Sequence, residues 1–252
     1  MTKKRLIARI DVKNEFVIKG IHLEGLRKIG DPNEIAKKYY DNGIDEIIFM
    51  DAVAAYYDRN SLSNIIEAAC SDVYIPITVG GGIRTLDDIN TALKSGADKV
   101  AINTQFIKSP NFIKEASEVF GSQCIVASIQ AGKVSHNKWE AYYDNGREPS
   151  GREVIDWALE MEALGAGEIM ITSIDSEGTK KGFDCDLIKN VFDNLSIPVI
   201  ACGGAGNGKH VEEMLVKTNV DAVAVASILH YGLEEISSLK RQLINRGINI
   251  RP

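Results

Sequence analysis

The sequence has few cysteines, few histidines and no long apolar run. The four cysteines lack CxxC spacing, which favours reduced thiols in the cytoplasm: Cys70, Cys124, Cys185 and Cys202. The four histidines are scattered without a metal-ligand pattern, so we expect no metal and no cofactor. No segment reaches ~18 apolar residues, and the basic N-terminus does not predict a signal peptide or a membrane span. We therefore expect a soluble, cytoplasmic protein.

An excess of basic residues is also missing. The net charge of −6 argues against a general nucleic-acid binder but allows a local anion site. No low-complexity linker divides the 252 residues, of which 44% are apolar and 25% charged. One (β/α)₈ barrel typically needs ~250 residues, so the length fits one such domain.

Short β-branched runs alternate with amphipathic runs along the whole chain. The strand candidates are Leu6–Val12, Glu46–Asp51, Ile75–Val79, Lys99–Ile102, Cys124–Gln130, Glu168–Ser173, Ile197–Ala201 and Ala222–Ala226. The helix candidates are Asn33–Asn42, Leu62–Ala69, Leu86–Ser95, Pro110–Phe120, Gly151–Leu164, Asp184–Asn194, Gly208–Lys217 and Leu233–Arg246. Eight strands alternating with eight helices predict an α/β fold, a single parallel (β/α)₈ TIM barrel.

The two halves of the sequence resemble each other. IPITVGGGI from Ile75 matches IPVIACGGAG from Ile197, and IIFMDA from Ile47 matches IMITSID from Ile169. VAINT and IDVK have counterparts in VAVAS and IQAGK, all at an offset of about 120 residues. Chance explains one such match but not four in the same order. The pattern predicts two-fold pseudo-symmetry, with half-barrels at about 1–122 and 123–252.

Glycine-rich turns follow corresponding strands in the two halves. Gly80, Gly81 and Gly82 follow the third strand, and Gly203, Gly204 and Gly206 follow the seventh. In such barrels the loops after the strands form the active face and often bind phosphate. Glycine lets backbone N–H groups approach an anion. The alternative is that these glycines only form tight turns, but their pairing favours two phosphate sites and an elongated bisphosphate ligand.

Motifs along the chain carry a family resemblance. They include IDVK, VIKG, GDP, GIDE, VGGGI, DKVAINT, FGSQ, GAGEI, TSID, GGAG and ASILH. Together they resemble the cyclase subunit (HisF-type) of imidazole glycerol phosphate synthase. That family takes ammonia through the barrel bore from a glutaminase subunit (HisH-type), with which it forms a heterodimer. It converts a bisphosphorylated formimino ribonucleotide into imidazole glycerol phosphate and an aminoimidazole carboxamide ribotide.

The resemblance implies roles for individual residues. Asp11 matches one of two catalytic aspartates, and Lys19 matches a lysine on the mobile loop after the first strand. The implied phosphate sites are Gly82, Asn103 and Thr104 on one side and Gly178, Gly204, Ala226 and Ser227 on the other. The implied ammonia gate consists of Arg5, Glu46, Lys99 and Glu168. Such a ring of charges is equally compatible with a structural plug.

The chain departs from the family pattern near the expected reacting centre. Gln130 stands at the second catalytic aspartate, and an amide cannot act as a general acid or base. Arg9 replaces a small residue and should point into the barrel with Asp11. Either it pairs with Asp11 and lowers its pKa by about 1–3, or it reaches a phosphate or another strand's carboxylate. Glu177 replaces an aspartate beside the second phosphate site.

Three functions therefore compete. The first is the ammonia-dependent cyclase, which the two phosphate sites favour. The second is a paralogue that delivers ammonia for sugar amidination in surface-polysaccharide biosynthesis, which Gln130 and Arg9 favour. The third is a non-catalytic partner that docks and activates a glutaminase.

Overall fold

Twelve strands are present in the described part of the chain, residues 3–52 and 62–252 of a computed structural model. In chain order they are β1 Arg5–Lys13, β2 Phe16–Ile21, β3 Glu24–Gly30, β4 Glu46–Asp51, β5 Ile77–Gly80, β6 Lys99–Ile102, β7 Ile125–Ser135, β8 Lys138–Tyr143, β9 Glu148–Glu153, β10 Glu168–Ser173, β11 Val199–Cys202 and β12 Ala222–Val225.

Eight of these strands close into a parallel barrel. The order is β1, β4, β5, β6, β7, β10, β11 and β12, and each pairs in parallel with the next. Closure is made by β12 and β1, which pair from Arg5 opposite Ala222 to Ala8 opposite Val225. The predicted TIM barrel is confirmed.

Helices follow the barrel strands and cover the outside. Their bounds are Pro32–Asp41, Ser63–Asp72, Leu86–Lys94, Thr104–Lys108, Asn111–Phe120, Val154–Ala163, Cys185–Asn194, Gly208–Thr218, Ser227–His230 and Ile236–Asn245. Two residues define the start of the first helix. Asp31 accepts hydrogen bonds from the Asn33 and Glu34 backbone amides, and Pro32 occupies the first turn. None of the described helices combines the length and the apolarity needed to cross a bilayer.

Two antiparallel hairpins extend the barrel and were not predicted. The chain after β1 forms β2 and β3, and the chain after β7 forms β8 and β9. The helix predicted from Gly151 is wrong at its start, since Glu148–Glu153 pairs with β8 and the helix begins at Val154. Both β1 and β7 run past the barrel rim, where their free backbone groups pair with the following segment.

Two strands in the structure begin two residues after their predicted starts, and both for the same reason. The predictions started at Ile75 and Ile197, whereas β5 begins at Ile77 and β11 at Val199. A proline precedes each observed strand and has no N–H to donate to the sheet. Both Pro76 and Pro198 still accept a bond from the neighbouring strand through their carbonyls.

Apolar side chains pack on both sides of the barrel wall. One cluster fills the space between the barrel and the helices and includes Leu6 and Ala8 of β1. A second fills the bore: Ile7, Ile48, Ala101, Val126, Met170, Ile200, Cys202, Ala222 and Ala224. Alternation along β1 therefore turns the odd-numbered side chains inward, as the sequence predicted. The bore is packed rather than open.

Candidate active site

Two glycine turns face each other across the carboxyl ends of the barrel strands. Gly81 after β5 and Gly203 after β11 both have a φ of +95°. A Cβ at Gly81 would overlap the backbone of Asp51, and one at Gly203 would lie 2.9 Å from the Ser173 carbonyl oxygen. Only glycine fits both turns, and its backbone stays accessible to a ligand.

The first turn lines a cavity of about 230 Å³. Gly82, Asn103 and Thr104 line it together, so these three predicted residues lie in one place. Arg84 and Lys108 also line it, and sequence reasoning missed both. The sequence spacing could have indicated Lys108, because it lies four residues, or one helical turn, after Thr104 and hence on the same face of the helix. This side of the mouth therefore adds two cationic side chains to the glycine backbone.

The second turn lines a much smaller cavity on the opposite side. Its lining includes Gly178, Gly204, Ala226 and Ser227, the four residues predicted for the second phosphate site. The cavity has only about 10 Å³. The β2–β3 hairpin closes over it, since a Cβ at Gly178 would overlap the carbonyl oxygen of Gly20.

A central cavity joins these two sides. It is lined by Arg9, Asp11, Lys19, Gln130 and Glu177, among others. Gln130 also lines the first cavity, and Lys19 and Glu177 also line the second. The predicted catalytic residues thus lie between the two glycine turns, in one groove that crosses the barrel mouth.

Asp11 at the end of β1 is held by two cations. Arg9 Nε donates to Asp11 Oδ1 over 2.8 Å, and Lys19 Nζ lies 3.6 Å from Asp11 Oδ2. Burial by itself raises the pKa of Asp11, but the charges of Arg9 and then Lys19 outweigh it, so the net pKa is lowered. Asp11 is therefore a carboxylate at neutral pH. Of the two arrangements open for Arg9, the structure has the pairing with Asp11.

Lys19 lies in β2 and ties the hairpin to the site. It is buried, and its ammonium forms an ion pair with Glu177 beside the second glycine turn. Burial favours a lower pKa for Lys19, but the carboxylates of Glu177 and Asp11 reverse this and leave the pKa raised. His22 reinforces the closure, because its backbone N–H donates to the Glu177 carbonyl over 2.8 Å.

Gln130 in β7 faces Asp11 across the groove and has no titratable group. Its Oε1 accepts a hydrogen bond of 3.0 Å from Asn103 Nδ2, and the same nitrogen donates to the Tyr142 carbonyl over 3.0 Å. The amide therefore links the centre of the groove to the first cavity. It positions Asn103 but cannot transfer a proton.

The four predicted gate residues meet at the opposite end of the bore. Arg5 Nη1 lies 3.0 Å from Glu46 Oε1, and Lys99 Nζ lies 2.9 Å from Glu168 Oε2. Arg5 also pairs with Glu168, and Lys99 with Glu46 at 3.4 Å. Burial favours a lower pKa for Arg5, but the two carboxylates raise it overall. The residues form a closed ring of alternating charges, as a gate or a plug requires.

The part of the chain with described coordinates contains no group of three or more histidine, cysteine or acidic side chains suited to a metal ion.

A model of the family described as "Histidine biosynthesis protein" matches residues 5–234. The chain belongs to this family.

Its relatives place the barrel among HisF-type subunits. "Imidazole glycerol phosphate synthase subunit HisF" of Legionella pneumophila is 55% identical over 206 residues, 82% of this chain and 97% of the relative. The proteins of the same name from Bacillus cereus strains Q1 and AH187 are each 45% identical over 251 residues, covering 100% of both chains. The predicted HisF-type resemblance is confirmed. The relatives are named as subunits, which implies a partner subunit.

Proposed function

We propose that this HisF-type chain is the cyclase subunit of an imidazole glycerol phosphate synthase. It closes the imidazole ring of a bisphosphorylated formimino ribonucleotide, using ammonia from a HisH-type glutaminase in a heterodimer. One observation carries the proposal. Two glycine turns face each other across the mouth and are joined by a single groove that contains Asp11. An elongated substrate with a phosphate at each end matches this layout.

Each end of the substrate meets a different set of groups. The first phosphate binds at Gly82, Asn103 and Thr104, where Arg84 and Lys108 add positive charge. The second binds at Gly178, Gly204, Ala226 and Ser227, beneath the β2–β3 hairpin. Backbone N–H groups and cations are the usual phosphate ligands in proteins. Between them, the reacting atoms lie over the central cavity.

Asp11 acts as the base of the reaction. Because Arg9 and Lys19 lower its pKa, the carboxylate is ionised and can accept a proton from the attacking ammonia, although the same charges make it a weaker base than an unpaired aspartate. Lys19 stays cationic and lies beside both Asp11 and Glu177, where it stabilises negative charge on the substrate. Gln130 orients Asn103 and contributes no proton transfer.

The decisive experiment is turnover with ammonium salt in place of the glutaminase. The purified chain should form imidazole glycerol phosphate from the bisphosphate, and Asp11→Asn should reduce the rate by about 10²-fold or more, since a positioned base contributes about 10²–10⁴. Asp31→Asn is the matched control, because Asp31 is exposed and asparagine still caps the first helix. A folded chain that binds the bisphosphate but forms no product contradicts the proposal.

A second candidate function is favoured by the reacting centre itself. Gln130 removes one carboxylate of the expected pair, and the Arg9 ion pair keeps Asp11 ionised and weakens it as a proton acceptor. Both features fit a paralogue that passes ammonia to an acetamido sugar. This function predicts tight bisphosphate binding without turnover, together with amidination of a sugar when the glutaminase is supplied with glutamine.

A further inference from the structure

The side chain of Arg9 crosses the bore of the barrel. Arg9 starts on β1, and its Nη1 lies 3.1 Å from Thr172 Oγ1 on β10 and 3.4 Å from Cys202 Sγ on β11. Neither strand is a neighbour of β1 in the barrel. The side chain is 4% exposed, so protein atoms surround it on nearly all sides.

Arg9 also separates two regions of the bore. Below it lies the apolar layer that contains Ile7, Met170 and Ile200, and below that layer lies the ring of Arg5, Glu46, Lys99 and Glu168. Above it lies the central cavity of the active site, of which Arg9 forms part of the wall. A molecule that travels from the charged ring to Asp11 must therefore pass the guanidinium.

We propose that Arg9 is an inner gate, which closes the bore by its bulk directly beneath the reacting centre. The inference rests on the proposed delivery of ammonia through the bore. The charged ring at the bottom is then one of two closures, and ammonia passes Arg9 only when the side chain is displaced. Three anchors hold the closed position: Asp11, Thr172 and Cys202.

The bonds of Arg9 connect this gate to the site above it. The bond between Arg9 Nε and Asp11 Oδ1 is charge-assisted and buried, whereas those to Thr172 and Cys202 join a cation to neutral groups. A substrate that forms a hydrogen bond with Asp11 competes with this bond and loosens the side chain. Ammonia passage is in this way favoured when substrate is present.

The test compares two sources of ammonia in the complex with the glutaminase. Glutamine-derived ammonia passes Arg9, whereas ammonium added to the solution reaches Asp11 from the open mouth. The ratio of glutamine-supported to ammonium-supported turnover therefore reports on the bore, and changes in chemistry at Asp11 cancel. In Arg9→Ala we expect the ratio to rise about threefold or more.

Two further variants separate bulk from charge. Arg9→Met keeps most of the volume and removes the charge, so its ratio should stay near that of the unaltered chain. Arg9→Lys keeps a cation beside Asp11 in a less bulky side chain, so its ratio should rise. If Arg9→Ala does not fold, the ratio in Arg9→Lys tests the inner gate by itself.

The outcomes are distinct. An unchanged ratio in both Arg9→Ala and Arg9→Lys overturns the inner gate while leaving the cyclase proposal intact. A rise in Arg9→Met equal to that in Arg9→Ala overturns closure by bulk. Absence of turnover with either ammonia source overturns the cyclase proposal, and the inner gate with it.

Discussion

Gln130 is held by Asn103 at the place where the resemblance implies a second carboxylate. Its neighbours are compatible with a shorter acidic side chain, since Asn103 Nδ2 is a donor and Gln130 lines both the first and the central cavity. The position therefore keeps the surroundings of an acid/base group without the group itself.

Replacing this amide by a carboxylate should increase turnover. We expect Gln130→Asp to raise ammonium-supported formation of imidazole glycerol phosphate by about 10²-fold, because a positioned acid or base contributes about 10²–10⁴. Gln130→Asn has the same length as the aspartate and no charge, so it serves as the control. A rise in both variants, or in neither, would show that proton transfer at this position is not limiting.

His230 should make the stability of the fold depend on pH. Burial, followed by the charge of Lys19, lowers its pKa to about 4, and the Tyr39 hydroxyl lies 2.7 Å from its Nδ1. Since the unfolded chain binds this proton near pH 6.5 and the folded one near pH 4, stability falls as pH decreases through this window, by about 3 kcal/mol.

Denaturant unfolding between pH 7 and pH 4.5 measures this effect. In His230→Gln the pH dependence of the free energy of unfolding should become flatter, while exposed His136→Gln should leave it unchanged. An equal slope in both variants would assign the pH dependence to other groups.

At the scale of elements, the β2–β3 hairpin and the second glycine turn depend on each other. Lys19 pairs with Glu177 and His22 bonds to the Glu177 carbonyl, so the hairpin is fastened at the rim of the small cavity. The resemblance implied a mobile loop here, after the first strand. The partner that orders the hairpin comes from the far half of the chain.

Gly178→Ala should loosen this closure. The added Cβ would overlap the Gly20 carbonyl, and Gly178 has a φ of +73°, so the variant carries both a clash and backbone strain. We expect faster proteolysis within the hairpin and a higher KM for the bisphosphate. Gly43→Ala is the control: its φ of +84° gives the same strain, but nothing lies within 4 Å of the new Cβ. Similar effects in both variants would mean that strain alone is responsible.

At the scale of the whole molecule, the charged ring joins distant parts of the barrel. Arg5, Glu46 and Glu168 are buried, and removing Arg5 leaves two buried carboxylates that share Lys99. We expect Arg5→Ala to lower the free energy of unfolding by about 3 kcal/mol at pH 7, since breaking a buried pair leaves an uncompensated charge.

Guanidinium-induced unfolding measures this loss. Lys37→Ala, which breaks an exposed pair with Asp41 on the first helix, should cause no measurable change. If the two variants lose equal stability, the ring contributes no more than an ordinary surface ion pair.

The two-fold pseudo-symmetry is also a property of the whole barrel. Both β1 and β7 lead into a hairpin, and glycine turns with the same φ follow β5 and β11. These correspondences fit the predicted repeat. The division into half-barrels at about 1–122 and 123–252 stays a prediction, as does the cytoplasmic location.

The barrel follows from local sequence, because eight apolar runs of strand length alternate with amphipathic helices and this periodicity depends only on neighbouring residues. Local sequence also placed the glycine turns at the carboxyl ends of β5 and β11 and turned Arg9 inward by simple alternation. The pairing of Arg9 with Asp11 and its contacts with Thr172 and Cys202 became visible only in the folded barrel. Contacts between strands far apart in the chain depend on barrel closure and side-chain reach, and local sequence contains neither.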